Sequence, residues 1–335
     1  MTKGTLSNKT LIQNLFALRE IVRLPFIPII YRFGAKITQI SPEEMMGDAT
    51  EMTHSLQTCQ ELFGYDAVAS GFDIGLHGNG IDSLPSSSDG GSSTLTFTSE
   101  PLKGPFQIED MEGYRVAVET TRRLSQMVAK KIGLFGFATG PVTLAGYLGG
   151  RNVLEDSMTE SSKKFLETAT EVCLKISKTY GELQVDGMIF LEWALSSPAL
   201  RSVESYSPIY QTLHNVIHFY NSRLIIALPR FDSRHLKPLC QFKPDALLLG
   251  KCEEGEFSFS KLKELTEAHQ ICLGIGIPFS SGKEEMIKTL DWVSQGMEKE
   301  RTKRGIFLSS AGEVPCEMEV GEMHDFMERV KQIHL

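Results

Sequence analysis

Short, almost continuous apolar runs alternate along this chain with segments that have the helical period of about 3.6 residues. Eight candidate runs follow this pattern: Phe26–Tyr31, Ala67–Phe72, Lys131–Phe137, Asp186–Leu191, Arg223–Leu228, Asp245–Leu249, Ile271–Ile277 and Gly305–Ser309. Such runs are typical of strands that are buried on both faces of a parallel sheet. Eight strands alternating with helices predict a (β/α)8 TIM barrel, and a doubly wound open sheet is the alternative.

The helical segments between the apolar runs carry start and stop signals. Ser41 at an N-cap, Pro42 at the first helical position and Glu44 at the third predict a helix start. We expect this helix to continue, with a bend at Gly47, until Gly64. Longer helical patterns cover Glu109–Lys130 and Thr159–Tyr180. The sequence shows no internal repeat and no linker, so we expect one domain over residues 1–335 with an N-terminal helical extension over about residues 1–24.

The composition excludes several classes of partner. The chain has 34 Lys and Arg residues against 42 Asp and Glu residues, a formal net charge of −8, whereas nucleic-acid binding favours a basic surface. The sequence has no apolar run of about 18 residues and no apolar block after the first lysines, so neither a membrane span nor a secretory signal is expected. Six cysteines lie scattered without a CxxC pattern, which indicates free thiols and a cytoplasmic location.

In a barrel, residues at the carboxyl ends of the strands point into the active site. This rule selects mainly polar positions: Asp73, His77, Thr139–Pro141, Glu192, Trp193, Arg230, Asp232, Cys252, Glu253 and Glu313. The carboxylates among them suit acid–base work or ligation of a hard cation. Structural alternatives stay open, because Asp73 can cap a turn and Glu192 can form an ordinary ion pair with Arg230. The Ser- and Gly-rich segment Asp82–Ser93 is interpreted as a surface loop, or as a lid or docking loop at the same end.

A second group of candidate ligands lies on a predicted helix. His214 and His218 are spaced i, i+4, so their side chains share one helix face and can share a metal ion. The sequence offers no evident third ligand, which favours two solvated histidines. Phosphate-binding GxxxxGK[ST], a dinucleotide fingerprint and a serine nucleophile elbow are all absent from the sequence.

Several segments together resemble the uroporphyrinogen decarboxylase superfamily, which includes corrinoid-dependent methyltransferases. Phe63–Val68 followed by Phe72–Ile74 is similar to the family's second strand and its aspartate, here Asp73. Gly136–Gly149 (GFATGPVTLAGYLG) is similar to the third strand and the helix after it, and is the most specific match. Lys303–Pro315 is similar to the last strand and turn. The resemblance covers nearly the whole chain and implies a (β/α)8 barrel.

Departures from the family pattern narrow the implied function. The decarboxylases carry an arginine-rich segment near the start, where this chain has Arg32 and Lys36. They also carry a histidine near the last strand, where this chain has about Ala311. A substrate with eight carboxylates is a poor match for these residues. Asp73 and Tyr147 do match family positions, so a tetrapyrrole decarboxylase stays an alternative.

The thiol-methylating members bind zinc through His-x-Cys on the fifth strand and a cysteine on the eighth. The corresponding residues here are Leu228, Arg230 and about Ala311, so the thiolate-type ligand set is missing. Soft thiolate ligands tune zinc for a thiolate substrate, and their loss argues against thiol methylation.

A different zinc pattern is matched by Glu298, Glu313 and His334, which are spaced E-x14-E-x20-H. The spacing resembles that of the first methyltransferase of anaerobic O-demethylases, which cleave phenyl methyl ethers. Oxygen and nitrogen ligands would keep zinc a strong Lewis acid for polarising an ether oxygen. In a barrel, however, Glu298 and His334 are expected toward the end opposite Glu313, and Glu192, His77 or Asp73 would be closer companions.

The resemblance therefore implies a methyltransferase that demethylates a vanillate-like aromatic methyl ether with zinc as Lewis acid. The methyl group would pass to a corrinoid that belongs to a partner protein. We expect Asp73, Glu192 and Tyr147 to be catalytic, and we expect these residues to bind substrate: Phe72, Trp193, Arg230 and His77. A tetrapyrrole decarboxylase and a non-catalytic barrel that binds a small molecule are the alternatives.

Overall fold

The computed structural model describes residues 7–74, 106–150, 153, 159–196, 202–253, 255 and 257–333, and it confirms the barrel and each of the eight predicted strands. All strands are parallel, and they follow one another around the sheet in the order β1-β8-β7-β6-β5-β4-β3-β2. The strands are β1 (Phe26–Ile29), β2 (Ala67–Phe72), β3 (Gly133–Thr139), β4 (Gly187–Leu191), β5 (Arg223–Phe231), β6 (Ala246–Cys252), β7 (Cys272–Ile277) and β8 (Ile306–Glu313). We call the end at which the strands finish the mouth, and the other end the base.

Helices surround the strands and bury an apolar face against them. They are α1 (Asn8–Phe16), α2 (Arg32–Thr38), α3 (Pro42–Gly47), α4 (Ala49–Phe63), α5 (Glu112–Met127), α6 (Pro141–Gly149), α7 (Glu160–Glu182), α8 (Ser207–Phe219), α9 (Ser233–Cys240), α10 (Phe259–Ala268), α11 (Lys283–Glu300) and α12 (Val320–Gln332). None of the helices in the described ranges is long and apolar enough to cross a membrane.

The helix start predicted at Ser41 is confirmed, because the Ser41 side chain accepts a hydrogen bond from the Glu44 backbone N–H. The predicted bend at Gly47 is a complete break. Asp48 is extended (φ −131°) and its carboxylate caps a second helix by accepting from the N–H groups of Thr50 and Glu51. The single helix predicted from Ser41 to Gly64 is therefore two helices, α3 and α4.

The base of the barrel is fastened by an aspartate directly before each of three even-numbered strands. Each carboxylate accepts a hydrogen bond from the backbone N–H near the start of the preceding strand. The pairs are Phe26 N to Asp66 at 2.9 Å, Leu134 N to Asp186 at 2.8 Å, and Leu224 N to Asp245 at 2.8 Å. Asp66 also binds the Arg23 guanidinium, and Asp186 binds the Lys9 ammonium at 2.7 Å.

Side chains complete the barrel where β1 meets its two neighbours. Between β1 and β2 the Tyr31 hydroxyl accepts from Gly71 N (2.8 Å) and donates to Gly71 O (2.5 Å). Between β1 and β8 the register shifts at Pro28, which has no N–H to donate. There Ser309 Oγ donates to Ile27 O, and Ser310 Oγ accepts from Ile29 N.

The predicted N-terminal helical extension contains α1, which closes the base. Leu15 is fully buried, and the Phe16 ring lies 5.9 Å from the Phe135 ring and 6.2 Å from the Phe307 ring. Both partners are on strands, β3 and β8. The interior is thereby filled from below, and the mouth is the end left for chemistry.

Candidate active site

Asp73 lies at the mouth, immediately after β2, and its side chain is turned toward β3. The register pairs Phe72 with Ala138, which puts Asp73 opposite Thr139. Thr139 Oγ1 donates to Asp73 Oδ2 at 2.9 Å, and the backbone N–H of Ile74 donates to Thr139 Oγ1 at the same distance. Asp73 is only 2% exposed, so its carboxylate acts in a poorly solvated setting.

Tyr147, on α6, lies close enough to Asp73 to respond to its charge. Burial first, and then the Asp73 carboxylate, raise the pKa of Tyr147 far above its usual value of 10.0. Its hydroxyl therefore keeps its proton at any physiological pH. A buried carboxylate and a protonated phenol at one mouth form a candidate acid–base pair.

Glu192, directly after β4, is fully buried and accepts hydrogen bonds on both oxygens. The donors are Val142 N (3.0 Å), Thr143 N (3.0 Å), Thr143 Oγ1 (2.6 Å) and the Tyr210 hydroxyl. The two N–H groups belong to the first turn of α6, where the helix itself provides no acceptor. Burial raises the pKa of Glu192 above 4.5, and these hydrogen bonds oppose the rise. Glu192 thus fixes the start of the helix that carries Tyr147.

The ion pair considered between Glu192 and Arg230 is absent from the described contacts. Arg230 instead lies beside Glu253 (3.3 Å), and both side chains are partly exposed. Glu192 instead accepts from two backbone N–H groups and one hydroxyl at the start of α6. The same contact explains Gly140, because a Cβ at that residue would lie 2.3 Å from the Glu192 carboxyl group.

Glu313, at the end of β8, is held by Arg32 across the β1–β8 side of the mouth. Its carboxylate accepts from the Arg32 backbone N–H and from the Arg32 side chain, with Nε and Nη2 each 2.9 Å from Oε2. The Glu313 side chain is 4% exposed and that of Arg32 is 31% exposed. Burial raises the pKa of Glu313, and the Arg32 charge counteracts that rise.

Three described arginines that lie next to strand ends at the mouth, Arg32, Arg230 and Arg234, each have a carboxylate partner within the chain. Besides the two pairs already given, the Arg234 guanidinium binds Asp232, which also caps α9. The Asp232 pKa is lowered to about 2, mainly by its hydrogen bonds to Arg234. The charges of these three arginines are therefore balanced by carboxylates of the chain.

The predicted substrate residues are only partly brought to the mouth. Trp193 is half-buried beside Glu192. The Phe72 ring packs edge-on against the Tyr114 ring of α5, with centroids 6.4 Å apart. Ser70, on the same face of β2, accepts a hydrogen bond from Thr121 of that helix. The structure therefore places Phe72 in the layer between strand and helix, because it alternates with Asp73 along the chain. His77 and the segment Asp82–Ser93 lie outside the described residues.

The predicted zinc ligands are separated. Glu298 is exposed at the end of α11, and α11 runs antiparallel to β8, so Glu298 lies at the base while Glu313 lies at the mouth. The span of β8 (8 residues) corresponds to about 25 Å, against zinc–ligand bonds of about 2.0–2.2 Å. His334 lies outside the described residues. Glu298 and Glu313 do not fit one metal site.

A group of possible metal ligands does exist at the base. It consists of His214 and His218 on α8 and of Asp245 before β6, and one ligand atom from each lies within 4.8 Å of the others. It is the one such group of three in the part of the chain that the structure describes. Burial first, and then the neighbouring His218, lower the pKa of His214. The i, i+4 spacing predicted that the two histidines could share a metal ion. Asp245 lies in a separate segment, and nothing in the sequence around it indicated that it would join them.

Two tyrosines near the mouth were missed by the sequence reasoning. Tyr31 is fully buried between β1 and β2, within reach of the charges of Glu313 and Asp73, and burial raises its pKa. Tyr210 donates to Glu192 and stacks on Phe242. Tyr31 was counted as the last residue of the predicted strand Phe26–Tyr31 and not as a site residue, and Tyr210 lies within a helix, so neither was selected at a strand end.

Comparisons with known proteins agree with this architecture. A model of the uroporphyrinogen decarboxylase (URO-D) family matches residues 7–333. A methyltransferase from Methanosarcina mazei has a TM-score of 0.75 and 15% identity, with 98% of this chain and 99% of that chain covered. A protein from Listeria monocytogenes described as a vitamin-B12-independent methionine synthase has a TM-score of 0.51 and 13% identity, with 93% of this chain and 95% of that chain covered.

The likeness to the Methanosarcina mazei protein, at 15% identity, shows a shared fold. A comparison with curated proteins found no match. The family model, by contrast, spans almost every residue of the chain, including both halves of the barrel. This protein therefore belongs to the uroporphyrinogen decarboxylase family.

Proposed function

We propose that this chain is a methyltransferase that takes the methyl group from a phenyl methyl ether and passes it to the reduced corrinoid of a partner protein. The observation that carries the proposal is the charge at the mouth. Arg32, Arg230 and Arg234 are each paired with a carboxylate of the chain. A tetrapyrrole with many carboxylates would need those guanidinium groups free, whereas a small aromatic ether with one carboxylate or none does not.

Asp73 and Tyr147 supply the chemistry that an ether needs. In the transfer, the C–O bond breaks while the methyl carbon bonds to the cobalt(I) of the partner's corrinoid, which supplies the electron pair. The ether oxygen keeps the pair from the broken bond and leaves as a phenolate. Tyr147, which keeps its proton because its pKa is raised, donates a hydrogen bond to that oxygen. Asp73, which Thr139 orients, takes up a proton from solvent and passes it to the phenolate, so that the phenol leaves neutral.

Glu192 contributes as a positioning residue. Its carboxylate is fully occupied by the start of α6 and by Tyr210, which leaves it no lone pair aimed at a substrate. Trp193 follows it at the mouth and is half-buried, so its ring is our candidate for stacking on the aromatic substrate. Arg230 lies near the end of β5 at the mouth and its side chain is 38% exposed beside Glu253, so it is our candidate for a substrate carboxylate.

Zinc at the mouth does not fit the donors described there. Asp73 is bonded to Thr139, Glu192 to the start of α6, and Glu313 to Arg32. The Glu313 carboxylate already accepts from the Arg32 backbone N–H and from two nitrogens of its guanidinium. A dication at Glu313 would have to displace that guanidinium. We therefore derive no step through zinc, and assign stabilisation of the leaving oxygen to Tyr147.

Family membership supports one rival function, decarboxylation of a tetrapyrrole. Asp73 is buried and faces the mouth together with Tyr147, as that reaction would require of a residue that stabilises a cationic pyrrole. The paired arginines count against it. A non-catalytic barrel has no specific observation in its favour.

The decisive experiment mixes the purified chain with a cobalt(I) corrinoid protein and a panel of methoxylated aromatics, and follows the visible spectrum. We expect conversion of the cobalt(I) spectrum to that of methylcobalt(III), with release of one phenol per methyl group. An unchanged spectrum with the whole panel overturns the proposal. Parallel incubation with uroporphyrinogen, with release of carbon dioxide as the readout, would in that case establish the rival.

The panel also tests the assignment of Arg230. Ethers with and without a ring carboxylate are compared in the wild type and in Arg230→Met. We expect KM to rise at least tenfold for the carboxylated ethers alone, because one charge-assisted hydrogen-bonded pair is lost. An equal rise for both classes would remove Arg230 from substrate recognition.

A further inference from the structure

At the base of the barrel, His214 and His218 lie beside Asp245. The role of Asp245 in joining two strands does not require these histidines. Asp66 and Asp186 each fasten two strands and are each paired with one cation, Arg23 and Lys9 respectively. Asp245 has the same task, since it accepts from Leu224 N at 2.8 Å. It also has its own cation, because Arg223 Nη1 lies 3.2 Å from Oδ1. Two histidines are present in addition.

The two histidines are arranged as a chelating pair. The rings of His214 and His218 are stacked, with centroids 3.8 Å apart and planes at 28°. His218 Nε2 lies 2.7 Å from Asp245 Oδ2, the carboxylate oxygen that Arg223 does not bind. His214 Nδ1 is buried and has no hydrogen-bond partner within the described structure. A buried imidazole nitrogen without a partner carries a desolvation cost that a ligand would remove.

From this geometry we propose that His214, His218 and Asp245 bind a transition-metal dication of the zinc type at the base of the barrel, independently of the proposed methyl transfer. Two imidazole nitrogens and one carboxylate oxygen are the borderline donors that zinc and copper(II) prefer over magnesium or calcium. One atom from each residue lies within 4.8 Å of the others. In tetrahedral zinc sites the ligand atoms lie about 3.4 Å from one another, and modest side-chain rotations would bring these three atoms to that distance.

Binding requires one exchange of partners. The contact between His218 Nε2 and Asp245 Oδ2 opens, and the metal takes its place between the two atoms. Arg223 keeps Oδ1 and Leu224 N continues to donate to Asp245, so β5 and β6 stay fastened. All three ligand residues are partly exposed, so the ion can enter from solvent and complete its shell with water. The ion would tie α8 to the start of β6 and stabilise the folded chain.

The test uses the full chain without a histidine tag. Zinc is titrated against a chromophoric chelator at pH 7.5, where imidazole is mostly neutral. We expect one site per chain in the wild type. His214→Ala and His218→Gln should each weaken zinc binding at least tenfold, because even residues behind a ligand are worth 10- to 100-fold. His269→Ala, which changes an exposed histidine elsewhere, should bind as the wild type does.

Two further readouts separate this site from a general effect of the variants. Zinc should raise the Tm of the wild type and of His269→Ala but not of His214→Ala, and near-ultraviolet circular dichroism should confirm that every variant is folded. Copper(II) bound to the wild type should show nitrogen hyperfine splitting from two imidazoles, reduced to one in either variant. No zinc bound to the wild type, or equal binding by the folded variants, overturns the proposal. Methyl transfer measured without added metal should be the same in His214→Ala, so neither proposal fails with the other.

Discussion

Arg32 and Glu313 join β1 to β8 at the mouth of the barrel, because one carboxylate accepts from both the backbone and the guanidinium of the arginine. They are 281 positions apart in sequence, and they join the chain just after the first strand to the end of the last strand. Their pairing neutralises the charge of an arginine at the mouth.

We expect Glu313→Gln to lower the free energy of unfolding by about 1–3 kcal/mol, because it leaves a half-buried guanidinium without its charge partner. Urea unfolding of the wild type, Glu313→Gln, Arg32→Met and the double variant gives the coupling energy. Additive effects of the two single changes would mean that the pair contributes nothing to stability.

Tyr31→Phe should destabilise the protein by about 1–3 kcal/mol, because both polar groups of Gly71 lose their partner at the junction of β1 and β2. Tyr65→Phe is the matched control. Its hydroxyl makes a long contact (3.3 Å) with Leu56 O, so we expect a loss below about 1 kcal/mol. Equal losses in the two variants would show that the Tyr31 hydroxyl does not fasten the junction.

Glu192 gives stability a pH dependence whose sign follows from its raised pKa. The folded protein holds the proton more tightly than the unfolded chain, in which the pKa is near 4.5. The stabilising contribution of the protonated group is complete below that pH and is lost as the pH rises through the folded pKa. We therefore expect the stability difference, wild type minus Glu192→Gln, to fall as pH rises from 4 upward.

Unfolding in urea at a series of pH values measures this difference. Glu253→Gln serves as the control, because Glu253 is exposed and its pair with Arg230 should contribute less than about 1 kcal/mol at every pH. A difference that rises with pH would contradict the raised pKa of Glu192.

Asp73→Asn and Tyr147→Phe should each lower kcat for methyl transfer by about 10²- to 10⁴-fold, the range for loss of a general acid or of a hydrogen-bond donor to a developing oxyanion. Thr139→Val should give a smaller loss, because it removes only the hydrogen bond that orients Asp73. His54→Ala, on an exposed face of α4, should leave kcat unchanged. Full activity in Asp73→Asn would remove Asp73 from the catalytic machinery.

The fold could be predicted because each strand of the barrel is buried on both faces and is therefore an unbroken apolar run. The ends of the strands were harder to predict. β5 extends to Phe231, β6 to Cys252 and β8 to Glu313, beyond the predicted ends at Leu228, Leu249 and Ser309. The residues by which these strands exceed their predictions include polar ones, because the strands end at the mouth, where side chains are in contact with solvent.

The candidate site was predictable only where position along a strand determines it. Asp73 was found in this way, and the same alternation would have turned Phe72 toward α5. Partners could not be predicted in the same way. Glu192 binds the start of α6 instead of Arg230, and Asp245 joins His214 and His218 from a separate segment, because these contacts depend on how helices pack.

The three aspartates at the base have a consequence for synthesis on the ribosome. Each aspartate is hydrogen-bonded to the strand before its own, and the two strands leave the ribosome one after the other. The first six strands can therefore be joined in pairs while the chain is still growing. β8 follows Gly305 instead of an aspartate, and it pairs with β1, the first strand to be made. Ring closure must therefore wait for the last strand to be translated, and until then the edge of β1 that pairs with β8 stays open.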